Sequence, residues 1–131
     1  VEAALLAKLL GTSGVTSFVS TRINWLRRPQ GETLPGIVLT RVSGTPDVPH
    51  SGPSGLVESR VQADCWAASY KTAKSIARAI EAAVTAQTFT QGAVRFDVIL
   101  LDSERDDTFD ESGVPVFRTS LDLMVYHAAA S

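Results

Sequence analysis

Polar and apolar positions alternate most cleanly in residues 55–70, GLVESRVQADCWAASY. Val57, Val61, Ala63, Cys65 and Ala67 fall on one side, with Ser59 the lone polar member. Leu56, Glu58, Arg60, Gln62, Asp64 and Trp66 fall on the other. Strand side chains alternate with period two, so the pattern predicts a strand with one buried face and one charged face ending in an aromatic. At about 3.3 Å per residue such a segment is roughly 40 Å long, well beyond the typical five or six residues. A strand of that length is expected to outrun the core of a small domain and reach towards another body, as an assembly part does.

The same two-faced pattern returns in residues 116–127. Phe117, Thr119, Leu121, Leu123 and Val125 share one side, and Arg118, Ser120, Asp122, Met124 and Tyr126 the other. Residues 94–104 predict a further strand with Val94, Phe96, Val98 and Leu100 on one side, and residues 106–113 the turn that follows. Shorter β-branched runs at 23–26 and 37–42 predict two more strands. Helical spacing appears in Leu5, Leu6, Leu9 and Leu10 with Gly11 as the stop, and in a short turn at Val15, Phe18 and Val19 with Ser13 as its cap. Ser69 is placed to cap a longer helix running to about residue 86. Its stripe is Tyr70, Ala73, Ile76, Ala77, Ile80, Ala83 and Val84, with Lys71, Lys74, Arg78 and Glu81 outward. Residues 44–55, GTPDVPHSGPSG, are too rich in proline and glycine for helix or central strand and predict a long loop.

The elements assemble into an α+β fold: a mainly antiparallel sheet of four to five strands with two helices packed on one face, in the order α-β-β-β-α-β-β. Strands that follow one another without intervening helices argue for the antiparallel pairing. Residues 1–131 are expected to form a single domain.

Composition changes this picture little. A hydrophobic content of 44% and a charged content of 20% suffice for an ordinary core without metals or disulfides. The formal net charge of −2 and a pI near 5.6 give no electrostatic grip on DNA or an acidic membrane. Cys65 is the lone cysteine, which excludes an internal disulfide and a cysteine-rich zinc site; on an apolar strand face it acts as a small hydrophobe. No apolar run reaches the 18 residues of a membrane span, and Val1-Glu2-Ala3 lacks the basic start of a signal peptide. A soluble chain, intracellular at synthesis, is expected.

Candidate chemistry is sparse. Asp102, Glu104 and Asp106 would alternate onto one face of a strand end and offer oxygens to a hard cation, although the spacing matches no EF-hand loop. A solvated hairpin tip accounts more simply for the whole acidic run, Asp102, Glu104, Asp106, Asp107, Asp110 and Glu111. His50 and His127 stand without a nucleophile motif. Ser51-Gly52-Pro53-Ser54-Gly55 has the glycines of a phosphate loop, but Pro53 removes a donor and no lysine follows. Arg22, Arg27 and Arg28 near Trp25 form a small basic and aromatic cluster, better suited to a salt bridge with a neighbouring subunit than to nucleic acid. No catalytic residue, cofactor or metal is expected. The readings outside assembly are a metal-dependent nuclease or hydrolase using the acidic run, and a monomeric ligand-binding domain.

Several blocks together carry a resemblance. They are the leucine-rich first helix; Arg22-Ile23-x-Trp25 with Pro29-Gln30-Gly31; Val38-Leu39 followed by Ser43-Gly44; Gly52-Pro53-x-Gly55-Leu56; Arg60-Val61-Gln62-x-Asp64-Cys65-Trp66-Ala67-x-x-Tyr70; Glu104-Arg105-Asp106-Asp107; and Ser120-Leu121-Asp122-x-x-Val125-x-His127. Over nearly its whole length the chain resembles the small phage tail completion proteins of the tail terminator (head–tail joining) type, which also occur in bacterial gene transfer agents. The resemblance implies a structural protein of a virion or phage-like particle, assembled in the host cytoplasm. It implies a homo-oligomer, a hexameric ring at the head-proximal end of the tail tube. Such a ring ends tube polymerisation and contacts the tail tube protein and the head–tail connector or stopper, while DNA passes through its lumen without specific binding. A head-completion or stopper protein of the same connector is the nearest alternative.

Within that frame the ring contacts are expected on the wet faces of the two long strands. Trp66, Met124 and Tyr126 would be anchors, and Arg60, Asp64, Arg118 and Asp122 would set register by charge pairing. Arg27 and Arg28 would reach a neighbouring subunit. The loop with Asp47 and His50, and the hairpin tip with Asp106 and Asp107, would dock on tube or connector.

Overall fold

Two short helices open the chain in the computed structural model, which describes residues 2–26, 33–44, 57–85 and 88–129. Helix α1 (Glu2–Leu10) buries Leu5 and Leu9 and stops at Gly11, whose N–H donates to Ala7 O at 3.0 Å. Helix α2 (Ser13–Val19) buries Val15 and Val19. Its cap is Thr12, not Ser13: the Thr12 carbonyl accepts from Val15 and Thr16, while its hydroxyl donates to Lys8 O at 2.7 Å and closes the end of α1. One residue thus serves both helix termini.

Six strands form one sheet: β1 (Ile23–Trp25), β2 (Gly36–Gly44), β3 (Val57–Ala67), β4 (Phe89–Gln91), β5 (Val94–Glu111) and β6 (Val114–Ala129), in the spatial order β1-β2-β3-β6-β5-β4. Between β3 and β4 lies α3 (Tyr70–Val84), capped as expected by Ser69, whose hydroxyl accepts from Thr72 N at 3.2 Å. The sheet is mixed. The β1–β2 pair is parallel, and every other pair is antiparallel. The fold is therefore α+β as expected, but with six strands and three helices among the described residues, in the order α-α-β-β-β-α-β-β-β. The run at 23–26 is strand β1 as expected, whereas β4 is too short to display a period, and a chain segment returning to its starting end leaves no mark on alternation.

All three helices cover one face of the sheet. Leu5, Leu9, Val15, Val19, Ile76 and Ile80 meet Ile37, Leu39, Val61, Cys65, Phe96, Leu121, Leu123 and Val125 in one hydrophobic cluster. The alanines and isoleucines of the α3 stripe bring it close over β3 and β6. Tyr70, expected in that stripe, is exposed at the first turn. Ser59, the polar member of the buried side of β3, is satisfied there by His127, Oγ to Nε2 at 2.9 Å.

The long reach of the sheet belongs to β6, as expected, but its partner in that reach is β5 and not β3. The 11 residues of β3 pair along their whole length with β6, from Val57↔His127 to Ala67↔Phe117, so β3 outruns nothing. Strand β5 holds 18 residues and β6 holds 16. They are joined by a two-residue turn, Ser112-Gly113, with φ of 55° and 84°. Both residues have the positive φ that tight hairpin turns favour. Residues 106–111, expected as a turn, are strand. Beyond the last β3 residue the pairs Phe109↔Val116, Asp110↔Pro115 and Glu111↔Val114 continue alone. That two-stranded arm extends roughly 10 Å past the sheet at about 3.3 Å per residue.

Two register shifts interrupt β5, between Phe96 and Val98 and between Leu101 and Ser103. Each bulge inserts one unpaired residue and changes which parity faces the core. The expected set Val94, Phe96, Val98 and Leu100 therefore splits. Phe96, Ile99 and Leu101 face the helices, while Val98 (39% exposed) and Leu100 (51%) turn to the opposite face.

Candidate interaction surface

The face away from the helices gathers most of the residues expected to make contacts. Arg60, Asp64, Trp66, Arg118, Asp122, Met124 and Tyr126 all lie on it, placed by the continuous β3–β6 register, and Asp107 joins them from β5. Asp106 lies on the helix side instead. Arg27, Arg28, Asp47 and His50 lie outside the described residues.

Three zones follow one another along this face. At the end nearest the start of β5, Val98 stands opposite Tyr126, and Leu100 opposite Met124. Alternation could not reveal this apolar patch, because the bulges create it; its trace in the sequence is the unbroken run Val98-Ile99-Leu100-Leu101.

The middle zone is a belt of charge. Arg60 Nη1 donates to Asp122 Oδ2 at 2.6 Å and to Asp102 Oδ2 at 2.9 Å. Asp64, buried on this face, accepts from Ser120 Oγ at 2.6 Å and Gln62 Nε2 at 2.9 Å. Hydrogen bonds to Asp102 and Asp122 raise the Arg60 pKa further, so the guanidinium stays charged. These groups, expected to set register between subunits, are engaged within their own chain.

At the base of the arm lies an aromatic clamp. Arg118 sits over the Phe109 ring at 4.8 Å and the Trp66 ring at 5.4 Å, and the two ring centroids are 5.4 Å apart. Its Nη2 donates to Asp107 Oδ2 at 2.7 Å, and Arg105 Nε reaches the same oxygen at 3.4 Å. The Arg118 hydrogen bond, with help from Arg105, holds the Asp107 carboxyl below the usual range. Phe109 and Val114, both exposed, extend the apolar character up the arm. Sequence reasoning missed Phe109 by assigning residues 106–113 to a turn, and Val114 by starting the last strand at residue 116.

The acidic run splits between the two faces. The bulge at Asp102 sends that carboxylate to Arg60, whereas Glu104 and Asp106 point to the helix side. There Glu104 pairs with Lys74 and Arg78 of α3, while Asp106 pairs with Lys74 at 3.1 Å and accepts from Thr119 Oγ1 at 2.8 Å. Partial burial works to raise the Glu104 pKa, but hydrogen bonds from Lys74 and Arg78 outweigh it and hold the carboxyl below its ordinary value. Glu104 and Asp106 fasten α3 to the base of the hairpin, while Asp110 and Glu111 stay exposed at its tip, as a solvated tip requires. Among the described residues no group of three His, Cys, Asp or Glu side chains is arranged to hold a metal.

Burial pushes the Cys65 thiol up, away from the reactive thiolate. Ser59 and His127 lie within hydrogen-bond reach, a pairing the sequence did not suggest, but Ser59 is 0% exposed and no substrate can meet it. An open hollow between α1 and the β4–β5 turn is lined by Ala3, Ala4, Ala7, Gln91, Gly92, Ala93 and Val94 and carries no ionisable group. Among the described residues no helix is long and apolar enough to cross a membrane.

The sequence matches the family described as "Tail completion protein gp17" over residues 3–128. Among solved structures, the fold is similar to a chain of one described as "Virion of native gene transfer agent (GTA) particle". The TM-score is 0.72 at 14% sequence identity, over 99% of this chain and 95% of that one. At that identity the likeness establishes the fold. No curated protein matches the chain.

Proposed function

The chain belongs to the tail completion protein gp17 family, and as a phage tail structural protein located in a virion or phage-like particle, we propose, it forms a ring that caps the head-proximal end of the tail tube. The ring, a hexamer in this reading, stops tube polymerisation, offers the surface on which the head connector docks, and leaves a central channel for DNA. The observation that carries the proposal is the two-stranded arm of β5 and β6, which leaves the sheet beyond Ala67 with apolar side chains exposed along it. An isolated two-stranded hairpin gains little stability by itself in water, and further packing is what makes such an arm stable.

Supporting features lie on the same molecule. Met124 and Tyr126, with Val98 and Leu100 beside them, present an uncovered apolar patch, and Trp66 stands at the arm's base. Aromatic, methionine and arginine side chains are the types enriched in interface cores. The carboxylates and arginines between them hold one another in fixed positions, which suits a rigid register surface. A net charge of −2 suits a conduit, since a strongly positive lumen would trap passing phosphates. The protein acts without catalysis in this reading, its partners being its own copies, the tube protein and the connector.

The test is twofold. Native mass spectrometry of the purified protein should show a closed ring, and particles assembled without it should carry tails of uncontrolled length or tails unjoined to heads. Normal tails, correctly joined in its absence, would overturn the proposal.

A further inference from the structure

A ring built from one kind of chain needs contacts between two different surfaces of that chain, repeated head to tail. The two sides of the sheet offer a complementary pair. On the side of β5, the arm exposes Phe109 and Val114 (58%) on one face and turns Asp110 to the other, a carboxylate with no hydrogen bond or ion pair among the described residues. At the opposite edge, around β1, Leu26 is 75% exposed and Phe18 is exposed as well. Next to them Arg22 spends its guanidinium on two backbone carbonyls, Pro35 O at 2.8 Å and Phe18 O at 3.5 Å, and meets no carboxylate among the described residues.

Leu26 adds an independent observation. Its φ of 72° lies in the left-handed region, which costs an ordinary residue about 1–2 kcal/mol. Its N–H is fixed on Leu39 O at 2.9 Å. A leucine held in that conformation and turned to solvent gains little from packing among the described residues. The sequence continues into Arg27 and Arg28, so positive charge concentrates in this stretch.

We infer that the arm tip of one copy docks on the β1 edge of the next copy. Val114 and Phe109 pack against Leu26 and Phe18 from one face of the arm, and Asp110 meets Arg22 from its other face. The inference rests on the ring reading and specifies which two surfaces mate. Desolvated apolar contact supplies the affinity and the charge pair the register. An acidic tip is repelled by nucleic acid phosphates, which favours a protein surface of opposite charge, and the chain itself carries one.

Cysteine cross-linking tests the contact. Leu26 and Val114 are exposed, so Leu26→Cys and Val114→Cys spare the core, and the native Cys65 is sealed within it. Under mild oxidation the double variant is expected to give a ladder of covalent multimers up to the closed ring, and each single variant no more than a trace. Rings seen by native mass spectrometry that yield no ladder would overturn the arm-to-edge contact and leave the ring reading standing. Wild-type protein that stays monomeric at every concentration would overturn both. As a second measurement, Asp110→Lys and Arg22→Glu chains should each associate about tenfold more weakly than wild type, a loss of roughly 1.4 kcal/mol. An equimolar mixture should recover assembly, because each chain supplies the surface the other lacks. A mixture no stronger than its components would overturn the inference.

Discussion

The base and the arm of the β5–β6 hairpin are made of the same two strands but are held by different forces. At the base, Phe96, Ile99, Leu123 and Val125 lie under the helices, and β3 and β4 flank the pair. In the arm the strands have only each other, with Trp66, Arg118 and Phe109 locking the junction. Burial fixes the base. The arm depends on cross-strand pairs worth about 0.2–1 kcal/mol each, so a few side chains at the junction decide how rigidly it projects.

Changes that break this contrast are expected to rank by what they remove. Leu123→Ala, in the buried base, should lower unfolding stability by about 2–5 kcal/mol, seen as a lower denaturant midpoint with an unchanged slope. A loss below about 1 kcal/mol would mean that the base does not depend on burial. Trp66→Ala should leave the fold intact but weaken ring closure by about 2 kcal/mol per contact; an undiminished ring in native mass spectrometry would remove Trp66 from the interface. Arg118→Met takes the cation from between the rings and the partner from Asp107. It should cost about 1 kcal/mol and speed amide exchange in residues 108–116 while α3 exchanges as before. Unaltered exchange in the arm would show that the clamp does not hold it.

The smallest effect sharpens the comparison through pH. Because the Glu104 carboxyl is held below its ordinary value, the stability it contributes is complete above the unfolded value of about 4.3 and is lost as pH falls through the lower folded value. Asp107 acts with the same sign at the clamp. Glu104→Gln should therefore flatten the acid limb of the stability curve without abolishing it. A limb as steep as that of wild type would mean that the α3–hairpin ion pairs contribute nothing measurable.

Much of the architecture was legible because it is local. Strands β3 and β6 pair without a register shift, so one parity of each faces the helices throughout, and the α3 stripe repeats at helical spacing with Ser69 before it; counting along the chain identified them. The face bearing Trp66, Met124 and Tyr126 followed from the same counting. The apolar patch at Val98 and Leu100 was not legible, since two bulges reverse the parity of β5 and no residue type announces them. Nor were the partners of the acidic run: Asp102, Glu104 and Asp106 look alike in sequence, and only the fold sends one to Arg60 and the others to α3.

By itself the sequence determined the two-sided character of the long strands, the capped helix that covers one side, and a weakly acidic balance, because each depends on residues close together in the chain or on their sum. Tertiary structure alone decided the parallel β1–β2 pair, the split of the carboxylates and the emergence of the arm. Where β5 and β6 leave the sheet is set by where β3 ends, at Ala67, and that is a relation between strands that no single strand encodes.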